Sequence, residues 1–421
     1  MKPLSPFIVS IAIISLVSCS KRSSNQITVM AIPVYGQSLA LGEQATRITD
    51  FDSLIKHTHH VVLTENLDEN FGYLSDTHFK QWMKKIMRDR HRAFELSVYG
   101  MSEELVKYLE NKTDGDSIIL SIFPGGQGAT SIVGIGRGSV PYKKFMEEIA
   151  SAYEKARGKG WNFVVPAFCW MQGEDDMLWK KSADYKRDLK KFETDLNQDI
   201  KTITKQQRDV VCISYQTNCL TLAKDYEADN FNGKGTYVSQ GQLELIAEDP
   251  LFMGSGPTYP YNFIDNGPHI DGLSQKILGH LQGLSAIRLL ESKKSKGLVP
   301  EKYSVSGKRA IITYDVPSLP LVIDTILVKK AENYGFSVIN RENENIIENV
   351  TIKNDQVQLQ CNESPLGCKV RYAVNGVRGQ TGTERARGNL RDSQGSQLTA
   401  AIGRKVYPLH NWSYQFDVLM K

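Results

Sequence analysis

"MAIPVYGQSLALGEQ", residues 30–44, is an apolar run that stops at a small polar corner. An apolar run of this length indicates a parallel strand that is buried on both of its faces. The corner after it presents Ser38 between Gln37 and Leu39. A tight turn needs small residues of this kind, and a serine at the end of a buried strand is also a position for a nucleophile. Both interpretations stay open on this stretch alone.

Short apolar runs continue to alternate with longer segments of helical period up to about residue 292. The pattern predicts strands over 27–33, 117–123, 163–170 and 209–216, and helices over 75–90, 141–157, 182–204, 236–248 and 272–291. Such alternation predicts the α/β class, a three-layer open parallel sheet with helices on both faces. Ligands of these sheets bind at the carboxyl ends of the strands.

The pattern changes after residue 302. A polar segment, 293–302, is predicted to be a linker, and beyond it short alternating runs are separated by turn residues about every eight to twelve positions. This spacing is typical of an antiparallel sandwich. We therefore predict a domain over 27–292 and a small all-β sandwich domain over 303–421.

The first residues have the layout of an export signal. Lys2 precedes the apolar run "PFIVSIAIISLV", and "LVSC" ends at Cys19. The run is too short to span a bilayer. We predict a lipoprotein signal peptide over 1–18, lipid attachment at Cys19 and a tether over 19–26, hence an exported lipoprotein of a bacterial cell envelope with the membrane as partner. An ordinary signal peptide with a chance cysteine is the alternative.

Charge and cysteine content limit the remaining classes. The net charge of +4 on 421 residues comes from mixed acidic and basic residues, which argues against nucleic acid as a partner. Export permits disulfides, and Cys361 with Cys368 is the expected pair, while Cys212 and Cys219 are an alternative. No Cys or His spacing predicts a metal site, and "HTHH" at 57–60 is interpreted as a loop.

Polar or glycine-rich corners follow three of the predicted strands. They are "YGQS", "PGGQGATSI" and "WMQGEDD", and a later "DNGPHIDGLSQ" places His269 directly before a helix. In a parallel sheet these corners meet at one edge. The set suits acyl transfer, because a serine needs a neighbouring base and His269 titrates near neutral pH. Backbone N–H groups of Ser38 and of 125–128, and the Gln172 amide, could bind the oxyanion.

In this order the blocks resemble the sialate O-acetylesterase-like branch of the SGNH hydrolases, over roughly 27–290. The "QGE" block is the most specific part of the resemblance. It implies an SGNH, flavodoxin-like sheet, with Ser38 as the nucleophile and His269 as the general base. Gly128 and Gln172 match the oxyanion-binding donors, together with the Ser38 backbone. The resemblance also implies removal of O-acetyl groups from an acetylated glycan, without a metal or organic cofactor.

The acid that orients the histidine is not fixed by the sequence. Many SGNH hydrolases have Asp three residues before the histidine, where this chain has Asn266, with Asp265 one position earlier. An asparagine can orient an imidazole but cannot offset its positive charge. Asp265 and Glu174 of the "QGE" block are equal candidates, whereas Asp271 is better placed as a helix cap.

Two alternatives to a sialic acid esterase stay open. One keeps the chemistry but changes the substrate to acetylated xylan or another plant polysaccharide. The other is a noncatalytic glycan-binding lipoprotein, which is favoured by Leu39, where the family commonly has Asn. The joint presence of Ser38, Gln172, Glu174 and His269 argues against that second alternative.

Overall fold

The structure, a computed structural model, describes residues 27–49, 61–63, 94–111, 118–179, 184–223, 226–233, 237–264, 267–377 and 385–421. Five predicted features lie outside these residues: the signal peptide 1–18, the tether 19–26 with Cys19, the "HTHH" loop at 57–60, the helix over 75–90, and Asp265.

The N-terminal part alternates strands and helices. Its strands are β1 (Thr28–Ala31), β2 (Val34–Gly36), β3 (Val61–Leu63), β4 (Ile118–Ile122), β5 (Pro124–Gly126), β6 (Asn162–Val164), β7 (Ala167–Met171), β8 (Val211–Gln216) and β9 (Phe252–Pro257). Its helices are α1 (Ser97–Glu110), α2 (Val140–Gly158), α3 (Glu174–Trp179), α4 (Tyr185–Thr204), α5 (Tyr237–Glu248) and α6 (Gly272–Leu290). The predicted helices over 141–157, 182–204, 236–248 and 272–291 correspond to α2, α4, α5 and α6.

All strand pairs of this part are parallel among the described residues, in the orders β3-β4-β1-β6 and β5-β2-β7-β8-β9. The first predicted strand is split at Pro33, which has no N–H to donate. The sheet continues across this break, because Val34 N donates to Phe123 O at 2.9 Å and Cys169 N donates to Pro33 O at 2.8 Å. The predicted parallel α/β sheet is confirmed.

Side chains alternate between two apolar cores, one on each face of the sheet, as the period of a strand requires. Phe168 and Trp170 enter the core that α2, α4 and α5 cover. Cys169 and Met171 enter the core that α1 and α6 cover. The three layers are therefore helices, sheet and helices, and the strand ends stay open at the sheet edge.

The C-terminal part is antiparallel. Its strands are β10 (Val299–Ser306), β11 (Arg309–Asp315), β12 (Val322–Ile323), β13 (Phe336–Ile339), β14 (Ile347–Lys353), β15 (Gln356–Cys361), β16 (Lys369–Tyr372), β17 (Leu390–Arg391), β18 (Thr399–Ile402), β19 (Lys405–Pro408) and β20 (Phe416–Leu419). Sheets β10-β11-β15-β14 and β13-β16-β20 share one apolar core, which confirms the β domain. Strand β10 begins at Val299, so the last residues of the predicted linker 293–302 are already strand.

The two parts are joined by buried contacts. Tyr259 of the N-terminal part belongs to the core of the β domain, and its hydroxyl donates to Ser413 O at 2.9 Å. Gly256 N donates to the Tyr414 hydroxyl at 3.0 Å. Tyr414 is fully buried and Trp412 is 9% exposed, so these aromatic rings pack inside the protein.

The expected Cys361–Cys368 disulfide is wrong, and so is the alternative bridge between Cys212 and Cys219, because all of these thiols are free and buried. The thiol of Cys361 is directed at Leu359 O, 3.7 Å away within its own strand, and that of Cys368 at Ser364 O, 3.9 Å away. In the described part of the chain, no helix is both long and apolar enough to cross a membrane.

Candidate active site

Three strand ends lie in register at one edge of the sheet. Gly36, the last residue of β2, pairs with Gly126 of β5 on one side and with Met171 of β7 on the other. A Cβ on Gly36 would lie 1.9 Å from Met171 O, so the close approach of the strands requires glycine there. Ser38 and Gly128 each follow two residues after a paired glycine. The expected meeting of the three corners is thus confirmed.

Ser38 begins the tight turn that the small residues allow. Its carbonyl oxygen accepts from Leu41 N at 3.1 Å and from Glu43 N at 3.0 Å, and the residue is 4% exposed. Gly42 has a φ of +64°, a conformation that favours glycine. Within the described ranges, neither the hydroxyl nor the backbone N–H of Ser38 has a hydrogen-bond partner, so both are available to a substrate.

Gln37 connects the first corner to the third. Its backbone N–H donates to Met171 O at 2.9 Å. Its side-chain Oε1 accepts from Gly173 N at 3.4 Å and from Asp175 N at 3.3 Å, at the start of α3. The turn that carries Ser38 is therefore fixed against the "QGE" corner by both the backbone and the side chain of Gln37.

Gln172 and Asp176 connect the third corner to the second. Asp176 Oδ2 accepts from Gln172 Nε2 at 2.5 Å and from Ile132 N at 2.9 Å, and burial raises the pKa of this carboxyl. Gln172 Nε2 also donates to Thr130 O at 3.3 Å, while its Oε1 accepts from Tyr185 at 2.8 Å. Both hydrogens of the amide already have acceptors. Gln172 could bind an oxyanion only by giving up the longer bond, to Thr130.

The histidine loop lies between β9 and α6. Ile264 N donates to His269 O at 2.7 Å and Asp271 N donates to Asn262 O at 2.9 Å. Asp271 caps α6 as predicted, because its side chain accepts from Ser274 N at 2.8 Å. The first turn of this helix reaches the residue after the serine, with Gln275 Nε2 donating to Leu39 O at 3.0 Å.

His269 is half-buried, and its Nε2 has no hydrogen-bond partner among the described residues. Burial lowers the pKa of His269, while the carboxylate of Glu43 acts in the opposite direction. Glu43 also lies against the glycine-rich corner, because a Cβ on Gly128 would lie 2.6 Å from Glu43 Oε1. The turn after Ser38 therefore brings an acidic side chain close to Gly128, and its charge acts on the histidine. In the described part of the chain, the backbone N–H of Gly128 has no acceptor.

Of the two predicted orienting acids, the structure describes Glu174 but not Asp265. Glu174 is buried, and its Oε1 accepts from the Tyr215 hydroxyl and from Thr217 Oγ1 at 2.6 Å. Its Oε2 has no partner among the described residues, and burial raises the pKa of this carboxyl. No hydrogen bond within the described ranges joins Glu174 to His269. Asp265 lies outside those ranges.

Two residues near the site, Asp176 and Glu43, were not assigned these roles from the sequence. The position of Asp176, four residues after Gln172, allows the observed contact. Nothing in the local sequence distinguished Glu43. Within the described ranges, no three His, Cys, Asp or Glu side chains are grouped as ligands for a metal ion.

Comparison with known proteins gives a family for one segment. Residues 76–218 match the family described as "Carbohydrate esterase, sialic acid-specific acetylesterase". This segment contains Gly128, Gln172 and Glu174, whereas Ser38 and His269 lie on either side of it. No curated protein resembles the chain closely enough to be counted as a relative.

The chain is also similar to solved structures. A carbohydrate acetylesterase from Xanthomonas citri is similar with a TM-score of 0.58 and 13% identity, covering 93% of this chain and 80% of that one. A protein from Arabidopsis thaliana has a TM-score of 0.41 and 14% identity, covering 63% of this chain and 98% of that one. An aryl esterase of M. smegmatis has a TM-score of 0.31 and 11% identity, covering 62% of this chain and 99% of that one. The first similarity supports the fold, and the other two scores are too low to support an argument.

Proposed function

We propose that this chain is a carboxylic ester hydrolase like the sialic acid-specific acetylesterases whose family model matches residues 76–218, and that it removes O-acetyl groups from sialic acid or a similar sugar through a covalent intermediate on Ser38. One observation carries the proposal. The corner of Ser38 lies in strand register with the glycine-rich corner, and two backbone N–H groups there have no acceptor within the described ranges.

In the proposed first step, Ser38 Oγ attacks the acetyl carbonyl carbon while its proton passes to His269 Nε2. The lowered pKa of His269 supports this role, because the imidazole is then neutral near pH 7 and can accept the proton. Negative charge develops on the former carbonyl oxygen. The N–H groups of Ser38 and Gly128 are the proposed donors to it, each typically worth about 10²–10³-fold in rate.

In the proposed second step, the tetrahedral intermediate collapses, the bond between the acetyl carbon and the sugar oxygen breaks, and His269 gives its proton to that oxygen, which leaves as the sugar hydroxyl. Water then attacks the acetyl-serine with His269 again as the base, and acetate leaves. Hydrogen bonds of such catalytic pairs are often long in the absence of substrate. The missing partner of His269 Nε2 is compatible with that state.

The test of the mechanism compares Ser38→Ala and His269→Ala with the unchanged enzyme on nitrophenyl acetate and on acetylated sialic acid. We expect Ser38→Ala to lower kcat by more than about 10³-fold, and His269→Ala by about 10²–10⁴-fold. Ser151→Ala is the matched control, since Ser151 is exposed on α2. Undiminished turnover by Ser38→Ala, with folding intact, would contradict the proposal.

The orienting acid is tested by Asp265→Asn and Glu174→Gln. Removing the charge of the residue that stabilises the imidazolium should lower kcat by orders of magnitude. The substitution at the other position should leave kcat nearly unchanged. Glu174→Gln also disturbs the contacts from Tyr215 and Thr217, so its free energy of unfolding must be measured alongside.

For the substrate, the family match supports acetylated sialic acid. Acetate release across a panel of acetylated sialic acids and acetylated xylo-oligosaccharides tests this choice. We expect the higher kcat/KM on the sialic acids. A preference for the xylo-oligosaccharides would assign the enzyme to plant polysaccharide instead.

We also propose that the chain is exported and anchored to the membrane by lipid on Cys19, on the strength of the "LVSC" pattern. Labelling of the expressed full chain with radioactive palmitate is the test. We expect label in the unchanged chain and none in Cys19→Ser, whereas equal label in both would contradict the anchor.

A further inference from the structure

We propose that Arg385, which comes from the C-terminal β domain, is a positioning residue that holds the His269 loop in its working place. This inference rests on the proposed esterase function, in which His269 is the base. It assigns the β domain a part in building the active site.

The guanidinium of Arg385 lies inside the protein, with 3% of the residue exposed. Its Nη2 donates to Gly267 O at 2.8 Å and its Nη1 donates to Asn218 O at 3.3 Å. Its central carbon lies 3.5 Å from the centroid of the Phe263 ring. One planar group therefore contacts the histidine loop at two points and the corner after β8 at a third.

These contacts hold the histidine loop at two places, Phe263 and Gly267. Phe263 forms a bridge with Ile270, and Ile264 N donates to His269 O at 2.7 Å, so the base of the loop is closed by the backbone. A Cβ on Gly267 would lie 3.9 Å from His269 Nδ1, so the Gly267 backbone lies close to the imidazole. A shift of this backbone would therefore change the surroundings of the histidine ring.

The segment that carries Arg385 is itself fixed to the edge of the N-terminal sheet. Asn218 Nδ2 donates to Ala386 O at 2.9 Å. Gln415 Nε2 donates to Asn218 Oδ1 at 2.5 Å, and Gln415 N donates to Gln216 Oε1 at 2.8 Å at the end of β8. Hydrogen bonds to the end of β8 and to the corner after it therefore fix the position of the segment that carries Arg385.

Burying a guanidinium is costly unless its charge and donors are compensated. Here two carbonyl oxygens and an aromatic face offset part of that cost, while Nε of Arg385 has no partner among the described residues. A lysine cannot reproduce this arrangement, because its ammonium has no planar face to stack and cannot span two carbonyls in a fixed fork. The geometry therefore requires arginine rather than any cation.

The test uses Arg385→Lys and Arg385→Met in the full chain, with Arg371→Lys as the matched control. Arg371 is also a buried guanidinium of the β domain, 1% exposed, and it donates to Ala228 O at 2.6 Å and Asn230 O at 2.8 Å, not to the histidine loop. Nitrophenyl acetate is the substrate, with kcat, KM, the pH profile of kcat/KM and Tm measured for each variant.

We expect both Arg385 variants to lower kcat by about 10²-fold, the cost of roughly an ångström of misplacement, with little change in KM. Guanidinium chloride at a concentration that does not denature should restore part of kcat in Arg385→Met, and the same concentration of sodium chloride should not. Arg371→Lys should lower Tm while keeping kcat. A loss of kcat in Arg385→Lys no larger than in Arg371→Lys would overturn the inference.

The unchanged enzyme and Ser38→Ala separate this failure from failure of the proposed function. If ester hydrolysis by the unchanged enzyme does not depend on Ser38, both the function and the inference are overturned. If hydrolysis depends on Ser38 but the Arg385 variants match the control, only the inference is overturned.

Discussion

The side-chain nitrogen of Gln172 lies 2.5 Å from Oδ2 of Asp176, and the same oxygen accepts from Ile132 N at 2.9 Å. One carboxylate thus sets the separation of the second and third strand corners. Since the second corner carries Gly128, the position of its N–H group depends on a side chain from a different corner.

Replacing this carboxylate should therefore affect both stability and catalysis. In Asp176→Ala the buried donors of Gln172 and Ile132 lose their acceptor, at a cost of about 1–3 kcal/mol each in the free energy of unfolding. We expect kcat, measured with nitrophenyl acetate, to fall because the Gly128 corner moves. We also expect a lower free energy of unfolding, measured by urea unfolding. Asp184→Ala is the control, because Asp184 pairs with Arg187 at the surface. An Asp176→Ala variant with unchanged stability would contradict this account.

The strand register predicts a severe effect at Gly36. A Cβ at this position would meet Met171 O at 1.9 Å, so Gly36→Ala must separate β2 from β7. We expect a loss of at least about 1–3 kcal/mol in the free energy of unfolding, together with loss of esterase activity. Gly158→Ala is the control, since nothing lies within 4 Å of a Cβ there. Equal free energies of unfolding for the two variants would contradict the close approach of β2 and β7 at Gly36.

Glu43 should set the acid limb of the pH profile. Burial lowers the pKa of His269 from 6.5, and the negative charge of Glu43 raises it in part. The base must be neutral, so activity is lost as pH falls through this pKa. Glu43→Gln removes the raising charge, and we therefore expect the acid limb of kcat/KM to move to lower pH. Glu147→Gln on the exposed face of α2 is the control. A limb that stays in place or moves to higher pH would exclude the assigned contact.

His280 should make stability depend on pH above neutrality. Burial opposes its charged form, but the contact with Glu104 at 2.8 Å and the carboxylate of Glu103, 3.3 Å from Nε2, outweigh burial and raise the pKa of His280 above 6.5. The charged pair therefore stabilises the fold fully below pH 6.5, and this contribution is lost as pH rises through the raised pKa. His280→Asn should flatten the decline in the free energy of unfolding above pH 6.5, as measured by urea unfolding across pH.

His410→Asn is the control for this prediction. Burial and Arg391 lower the pKa of His410 to about 4, so its removal should change the slope only below pH 6.5. If the free energy of unfolding of His280→Asn falls as steeply with rising pH as that of the unchanged protein, the ion pair does not provide the stabilisation assigned to it.

Local sequence patterns were sufficient to predict the helices and strands and the edge of the sheet where the site forms. Apolar runs and helical periods gave α2, α4, α5 and α6 within a few residues, because burial on one or both faces dictates which positions are apolar. The alternating runs after residue 302 predicted the β domain for the same reason. The break at Pro33 and the early start of β10 were missed, since both depend on which strand lies alongside.

Cysteine spacing was misleading. Cys361 and Cys368 flank a turn-rich loop, which favours a bridge, yet each thiol is directed at a carbonyl of its own segment. Side-chain direction depends on how β15 is paired, and spacing along the chain does not contain that information.

Local sequence was enough to predict the order of the corners and the residue types at their ends: a serine, a glycine-rich loop, the "QGE" block and a late histidine. These follow from local composition because parallel strands must end at a common edge. Which side chains serve each corner depends on the packing of distant segments. Glu43 lies beside Gly128, Asp176 accepts from Ile132 N, and Arg385 donates to Gly267 O. These contacts join segments far apart in the chain, so only the folded structure creates them.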